Sequence, residues 1–232
     1  MKSKIKTIII ILLLLVLGIG IFLIYQEKTT KTNPDGKKFK EEYESLNQKK
    51  TKTGKTYLSL TIDEDNPITY IDTSEAIDIL ENQTAIIYFG FPECPWCRNL
   101  VPVLLESIKD TEYQNIYYCN ALKERDIKTL DDNGNIITEQ EGSDNYYKIV
   151  DILKDKLDTY DGLNDDSIKR LYFPTVVFVK DGKIEKVKSG TVESQKDPYK
   201  ALTKSQKKEL KQELEEAILN LQDNTCNDDS KC

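Results

Sequence analysis

The stretch Ala85-Ile86-Ile87-Tyr88-Phe89-Gly90-Phe91-Pro92-Glu93-Cys94-Pro95-Trp96-Cys97-Arg98 constrains this chain more than any other part of it. It reads as a buried strand running straight into a helix, with two cysteines spaced C-x-x-C at the junction. Thiols at that spacing can close a disulfide across one helical turn. At a helix start, the first sulfur faces unpaired backbone N–H groups and the positive end of the macrodipole. Both favour thiolate, the form that attacks disulfides. An ordinary cysteine, with a pKa of about 8.5, is only about 3% ionised at pH 7; a pKa of about 7 makes it half ionised. Cys94 is the expected nucleophile and Cys97 the expected, more buried, resolving thiol. Glu93 works against ionisation and Arg98 works for it.

An inert structural disulfide and half a zinc site are the competing readings. Zinc needs two more ligands, and Cys226 and Cys232 are the only paired candidates. Their C-x5-C spacing in a polar tail is unusual for that purpose, so no metal site is expected. The 232 residues contain no histidine, which removes histidine acid–base chemistry, Cys–His nucleophile pairs and histidine metal sites. A net charge of −7, with 31% charged residues, argues against nucleic acid as a partner.

Lys2, Lys4 and Lys6 precede an apolar run from Ile8 to Tyr25, long enough to cross a bilayer. Residues 1–25 are read as an uncleaved signal anchor. The rival is a signal peptide cut near Gly18-Ile19-Gly20, but Ile21-Phe22-Leu23-Ile24 stays apolar past that point. Residues 26–56 are polar and Lys-rich and read as a stalk, with a short helix around Phe39–Leu46. Lysines on both sides of the apolar run leave orientation undecided by charge. Cysteine usage favours an exported domain: two candidate pairs and one buried thiol, Cys119, fit an oxidising compartment.

Further along, Tyr57–Ile62 and Ile68–Ile71 alternate as strands do. Asp72 with Glu75 signals a helix start, and Ala85–Phe89 is the buried strand. A helix runs from Pro95, kinked at Pro102. Ile116–Cys119 is the next strand, and Asp131-Asp132-Asn133-Gly134-Asn135 turns a hairpin between Ile127–Leu130 and Ile136–Thr138. A helix carrying Ile149, Leu153 and Leu157 follows. Thr175–Val179 and Lys183–Lys188 pair about Asp181-Gly182. Thr203 with Gln206 caps a last helix striped by Leu210, Leu214, Ala217, Ile218 and Leu221. Alternating strands and helices predict an α/β fold with a central mixed sheet and helices on both faces.

These residues resemble the thioredoxin superfamily. Cys94-Pro95-Trp96-Cys97 stands at that family's strand–helix junction, and Pro102 falls at its helix-kinking proline. Tyr172-Phe173-Pro174-Thr175-Val176-Val177-Phe178-Val179-Lys180-Asp181-Gly182-Lys183 is similar to its cis-proline loop and hairpin, and Gly190 to a glycine after its last strand. The resemblance covers about residues 66–222. Within the superfamily, residues 89–98 and 190–203 are similar to membrane-anchored bacteriocin transport accessory proteins. It implies a thioredoxin-like three-layer α/β/α domain over residues 57–222, with an insertion at 122–170 ahead of the proline loop. It also implies a cis Pro174 whose neighbours Phe173 and Thr175 pair with an extended substrate, with Trp96 as a contacting aromatic. The family's buried acid, six residues before the first cysteine, is Tyr88 here, a poor base at neutral pH. In the tail at 223–232, Cys226 and Cys232 are expected to form a structural disulfide.

The function expected from this reading is a membrane-tethered, extracytoplasmic, single-pass thiol–disulfide oxidoreductase of undetermined direction. It would need no cofactor beyond the redox-active disulfide Cys94–Cys97. It would act on cysteines of exported proteins or peptides and exchange electrons with a membrane or extracytoplasmic partner. The alternative is a thioredoxin-fold accessory or binding protein for peptide export with little redox activity.

Overall fold

The computed structural model describes residues 33–222. Helix α1 (Pro34–Glu44) begins on a proline, whose missing N–H costs nothing in a first turn. It presents Phe39 and Tyr43, one turn apart, fully buried. After a long extended segment comes the short strand β1 (Thr69–Tyr70) and helix α2 (Thr73–Asn82). Asp72 and Glu75 close a capping box on α2: the Glu75 N–H donates to Asp72 at 2.8 Å and the Asp72 N–H to Glu75 at 2.9 Å. Strand β2 (Ala85–Phe89) and helix α3 (Pro95–Asp110) follow, with Pro102 inside α3, and then strand β3 (Ile116–Cys119). The hairpin β4 (Ile127–Leu130) and β5 (Ile136–Gln140) stands as a separate two-stranded sheet. Helix α4 (Asp144–Leu153) is capped by Ser143, and a single 3₁₀ turn, Lys154–Lys156, leads away from it. Strands β6 (Thr175–Lys180) and β7 (Lys183–Ser189) and helix α5 (Lys204–Gln222) complete the order. Thr203 and Gln206 bond reciprocally at the start of α5.

The main sheet has five strands in the order β1-β3-β2-β6-β7. Strands β1, β3 and β2 run parallel, while β6 and β7 are antiparallel additions on the other side of β2. Every residue of β2 is buried, as expected for a central strand covered on both faces. The helices pack in two pairs, α2 with α4 and α3 with α5. The β6–β7 turn has Asp181 at φ 49° and Gly182 at φ 70°, the left-handed pair that a two-residue hairpin requires. A Cβ on Gly182 would also strike the Glu81 carbonyl oxygen, so glycine is required there twice over.

Register places three tyrosines side by side across the parallel strands: Tyr70 opposite Tyr118, and Tyr118 opposite Tyr88. Tyr118 stacks on Tyr88 at 5.5 Å between ring centroids and meets Tyr70 edge-on at 4.9 Å. Phe39 and Tyr43 of α1 cover this row, Phe39 lying 5.1 Å from Tyr118 and 6.3 Å from Tyr88. Such aromatic pairs add about 0.5–1.5 kcal/mol each beyond their burial.

Three expectations are corrected here. The fold expected from sequence included an N-terminal transmembrane helix, but among the described residues no helix is long and apolar enough to cross a membrane. The apolar run Ile8–Tyr25 lies outside the described residues. The fold is therefore an α/β domain with a five-stranded mixed sheet flanked by helices. The membrane tether, the single-pass location and the extracytoplasmic placement fall away from the functional reading. Second, the short helix expected around Phe39–Leu46 within a polar stalk is α1, which begins earlier, at Pro34, and packs onto the sheet through its two aromatic residues. Third, Tyr57–Ile62 is extended but is not a strand. Side chains replace a neighbouring strand as its partners. Asn47 bonds both the N–H and the carbonyl of Leu60, Glu44 accepts from the Ile62 N–H, and Lys40 donates to the Ile62 carbonyl.

Candidate active site

Cys94 is the N-cap residue of α3, and its sulfur accepts the Cys97 N–H at 3.2 Å. An apolar strand delivers the chain to this point, and Pro95 at the first helical position fixes the turn. Cys94 and Cys97 are free thiols lying 2.8 Å apart, close to the distance of a disulfide. Cys94 is 4% exposed and Cys97 fully buried. A hydrogen bond from the Cys97 thiol is the strongest influence on Cys94 and lowers its pKa below the ordinary thiol value. Burial opposes this, while the N–H groups of Cys97 and Trp96 and the charge of Arg125 add to it. Burial pushes the Cys97 thiol well above the ordinary value, and its bond to Cys94 and the charge there push the same way. Of the two thiols, Cys94 is therefore the one that ionises more readily, while Cys97 holds its proton.

The Phe173–Pro174 peptide is cis. It brings the Phe173 carbonyl over the pair, where it accepts from the Cys94 thiol at 3.5 Å. The Pro174 carbonyl is held from behind by the Gly190 N–H at 2.8 Å. Thr175 opens β6 between Phe89 of β2 and Ser189 of β7, and its hydroxyl donates to the Tyr172 carbonyl at 2.7 Å. Trp96 is partly exposed and, with Tyr172, Phe173, Gly190 and Val192, lines a cleft of about 950 Å³. The expected substrate-contacting residues Trp96, Phe173, Pro174 and Thr175 therefore gather beside the cysteines.

Three residues at the site have roles that sequence reasoning did not assign. Arg125, from the segment between β3 and β4, lies over the Phe173 ring at 5.1 Å, and its charge helps to lower the Cys94 pKa. Tyr43 of α1 reaches the Tyr88 hydroxyl at 2.7 Å, beneath Cys97. Arg98, expected to favour the Cys94 thiolate, is 1% exposed and spends its donors on oxygens of Tyr43, Asn47, Leu58 and Pro92. Its role is to tie the segment after α1 to the cysteine helix. Of these three, Arg98 alone had a local signal, its place directly after the second cysteine.

Cys119 is buried in β3, and burial pushes its thiol up to about 12. Cys226 and Cys232 lie outside the described residues, and with them the expected tail disulfide. Among the described residues, no group of three or more Cys, Asp or Glu side chains is placed to hold a metal ion. In comparisons with known proteins, no family model matches the chain and no curated protein is significantly similar to it.

Proposed function

We propose that this domain carries out thiol–disulfide exchange through Cys94 and Cys97 on cysteine-containing proteins or peptides. The observation that carries the reading is the pair itself: two free thiols 2.8 Å apart, the first on a helix N-terminus, with its pKa lowered while that of the second is raised. In the reducing direction, the Cys94 thiolate attacks a substrate disulfide and releases one substrate thiolate, forming a mixed disulfide. Cys97 then loses its proton, attacks the Cys94 sulfur and expels the second substrate thiolate, which takes up a proton. The reverse sequence oxidises a substrate dithiol. The resemblance to the thioredoxin superfamily, carried by Cys94-Pro95-Trp96-Cys97 and the Pro174 loop, supports the same chemistry. Substrate would lie extended along Phe173, whose N–H has no protein partner among the described residues. Reduction of insulin disulfides, or oxidation of a dithiol peptide, by the full chain against Cys94→Ser tests this: activity is expected only in the unsubstituted protein, and equal activity in both refutes it.

A second reading is favoured by the low exposure of Cys94 and by a tyrosine where a carboxylate would take the resolving proton. Here the domain is an accessory or binding protein with little redox turnover, similar in role to bacteriocin transport accessory proteins. Trapping with Cys97→Ser separates the two: exchange leaves defined mixed disulfides with substrate proteins, and a binding protein leaves none.

A further inference from the structure

Of the chain's 33 basic residues only Arg98, Arg125 and Arg170 are arginines, and every ion pair among the described residues is made by a lysine. Arg98 spends its donors inside the fold. Arg170 lies over the Tyr160 ring at 4.1 Å and donates to the Asp126 carbonyl at 3.4 Å. Arg125 differs from both: its guanidinium has no hydrogen bond or ion pair among the described residues. The acids on either side of it in the chain are engaged elsewhere. Glu124 accepts from the hydroxyls of Thr73 at 2.8 Å and Ser143 at 2.7 Å. Asp126 is 2% exposed and pairs with Lys128 at 3.2 Å. The partly exposed Arg125 side chain lies instead over the Phe173 ring at 5.1 Å. That ring meets Phe91 edge-on at 5.7 Å, and the Phe173 carbonyl reaches Cys94 at 3.5 Å. Beside Phe91, a groove of about 800 Å³ is lined by Lys52 and Lys123 with Glu93 its single acid, so this flank is positive in a chain of net charge −7.

We infer that Arg125 is a specificity-determining residue that selects substrates with an acidic side chain close to the cysteine, its guanidinium taking the carboxylate while Cys94 engages the substrate sulfur. The inference deepens the exchange reading and rests on it. A guanidinium stacked on a ring keeps its N–H edge free and in a fixed plane, and that edge matches a carboxylate with two parallel N–H···O bonds. A lysine offers only a point charge. The Arg125 carbonyl is held by the Gln140 side chain at 2.7 Å, and the Glu124 carbonyl by the Ser143 N–H at 2.9 Å, so the backbone that carries the guanidinium is anchored. From Cys94 past the Phe173 carbonyl and across its ring, the guanidinium is within reach of about three residues of an extended peptide, each rising about 3.3 Å. This role is separate from the effect of the same charge on the Cys94 thiol. A more stable thiolate alters attack on every substrate alike, whereas the fork discriminates between substrates.

The test reads selectivity and not rate alone. The reduced full chain, carrying Cys226→Ser and Cys232→Ser, is mixed with an excess of the symmetric disulfide of a short cysteine peptide. Oxidation of the Cys94–Cys97 pair is followed by acid quench and mass analysis. Each peptide carries one glutamate, placed in turn at the three positions on either side of its cysteine, and each has a glutamine counterpart. Every glutamate-to-glutamine rate ratio is divided by the ratio for dithiothreitol, which removes the glutamate's own effect on the peptide disulfide. The best-placed glutamate is expected to give a ratio of about five at low salt, falling toward one at high salt, as for a partly exposed ion pair of good geometry. In Arg125→Leu the ratio is expected to fall to about one, and in Arg125→Lys, which keeps the charge without the fork, to about two. A ratio near one at every position in the unsubstituted protein overturns the inference. So does a preference that survives in Arg125→Leu, including one that persists while both peptides slow equally. Should Arg125→Leu fail to fold, Arg125→Lys decides by the same ratio. Peptides that never oxidise the pair refute the exchange reading, and the inference falls with it; peptides that oxidise it regardless of charge leave that reading standing and overturn the inference alone.

Discussion

Replacing Arg98 with methionine tests whether a buried guanidinium holds the N-terminal segment onto the cysteine helix. The side chain is 1% exposed and donates five hydrogen bonds: two to the Leu58 carbonyl at 2.8 and 2.6 Å, one each to Tyr43 and Asn47 at 2.8 Å, and a longer one to Pro92 at 3.3 Å. All four acceptors are neutral, so the charge is buried without an ion-pair partner. Arg98→Met keeps the apolar stem and removes the head. The Asn47 oxygen retains a second donor, the Leu60 N–H at 2.9 Å, and the Pro92 bond is weak. The Leu58 carbonyl loses both its donors, while the Tyr43 carbonyl keeps only a long bond from the Leu46 N–H at 3.4 Å. One stranded and one weakened acceptor together cost about 2–4 kcal/mol, partly offset because the variant no longer buries a charge. A net loss of about 1–3 kcal/mol follows. Urea unfolding with an unchanged m-value measures it. Amide exchange should accelerate most over residues 45–62, where Asn47, Leu58 and the side-chain-tied backbone lie. A loss below about 0.5 kcal/mol, or exchange that accelerates uniformly, refutes the reasoning.

Three further outcomes follow. Arg125→Leu removes a positive charge that favours the Cys94 thiolate, so the Cys94 pKa rises and its alkylation by iodoacetamide below pH 7 slows, by about two- to threefold for one partly screened charge; an unchanged pH–rate profile contradicts this. Phe39→Ala, in a helix that sequence alone places in a stalk, should cost about 3–5 kcal/mol in urea because the ring is fully buried among Tyr43, Tyr88 and Tyr118; a cost under about 1 kcal/mol would return α1 to the surface. Alkali should unfold the protein cooperatively. Burial raises the phenols of Tyr43, Tyr70, Tyr88 and Tyr118 above their unfolded value, with Tyr113 and Cys119 each raised to about 12. Groups raised by folding stabilise fully below their unfolded pKa, about 10 for tyrosine, and that stability is lost as pH rises through the folded values. Tyrosinate absorbance should therefore appear in a late phase that coincides with loss of helix; independent titration of the phenols before unfolding would contradict it.

The parts of this structure legible in the sequence are those whose causes are local. The junction at Cys94 was readable because an apolar run, a helix-starting proline and the cysteines are contiguous, and the capping residues Asp72 and Thr203 announce their helices within four positions. What escaped depends on partners far along the chain. Helix α1 has only Phe39 and Tyr43 to bury among lysines and glutamates, and they matter because register aligns Tyr70, Tyr118 and Tyr88 beneath them. Tyr57–Ile62 alternates like a strand, yet its backbone bonds are taken by Asn47, Glu44, Lys40 and Arg98, which no periodicity encodes. Arg125 comes to the Phe173 ring from the segment between β3 and β4, where no motif marks it.

The most direct measurement is the fraction of the Cys94–Cys97 pair oxidised across a series of glutathione redox buffers, read by acid quench, alkylation and peptide mass analysis. Exchange chemistry predicts a single two-electron transition, about 30 mV for each tenfold change in the ratio of oxidised to reduced protein, with Cys94 the first residue alkylated in the reduced form. A pair that stays reduced throughout, or one in which Cys97 is alkylated before Cys94, would contradict it.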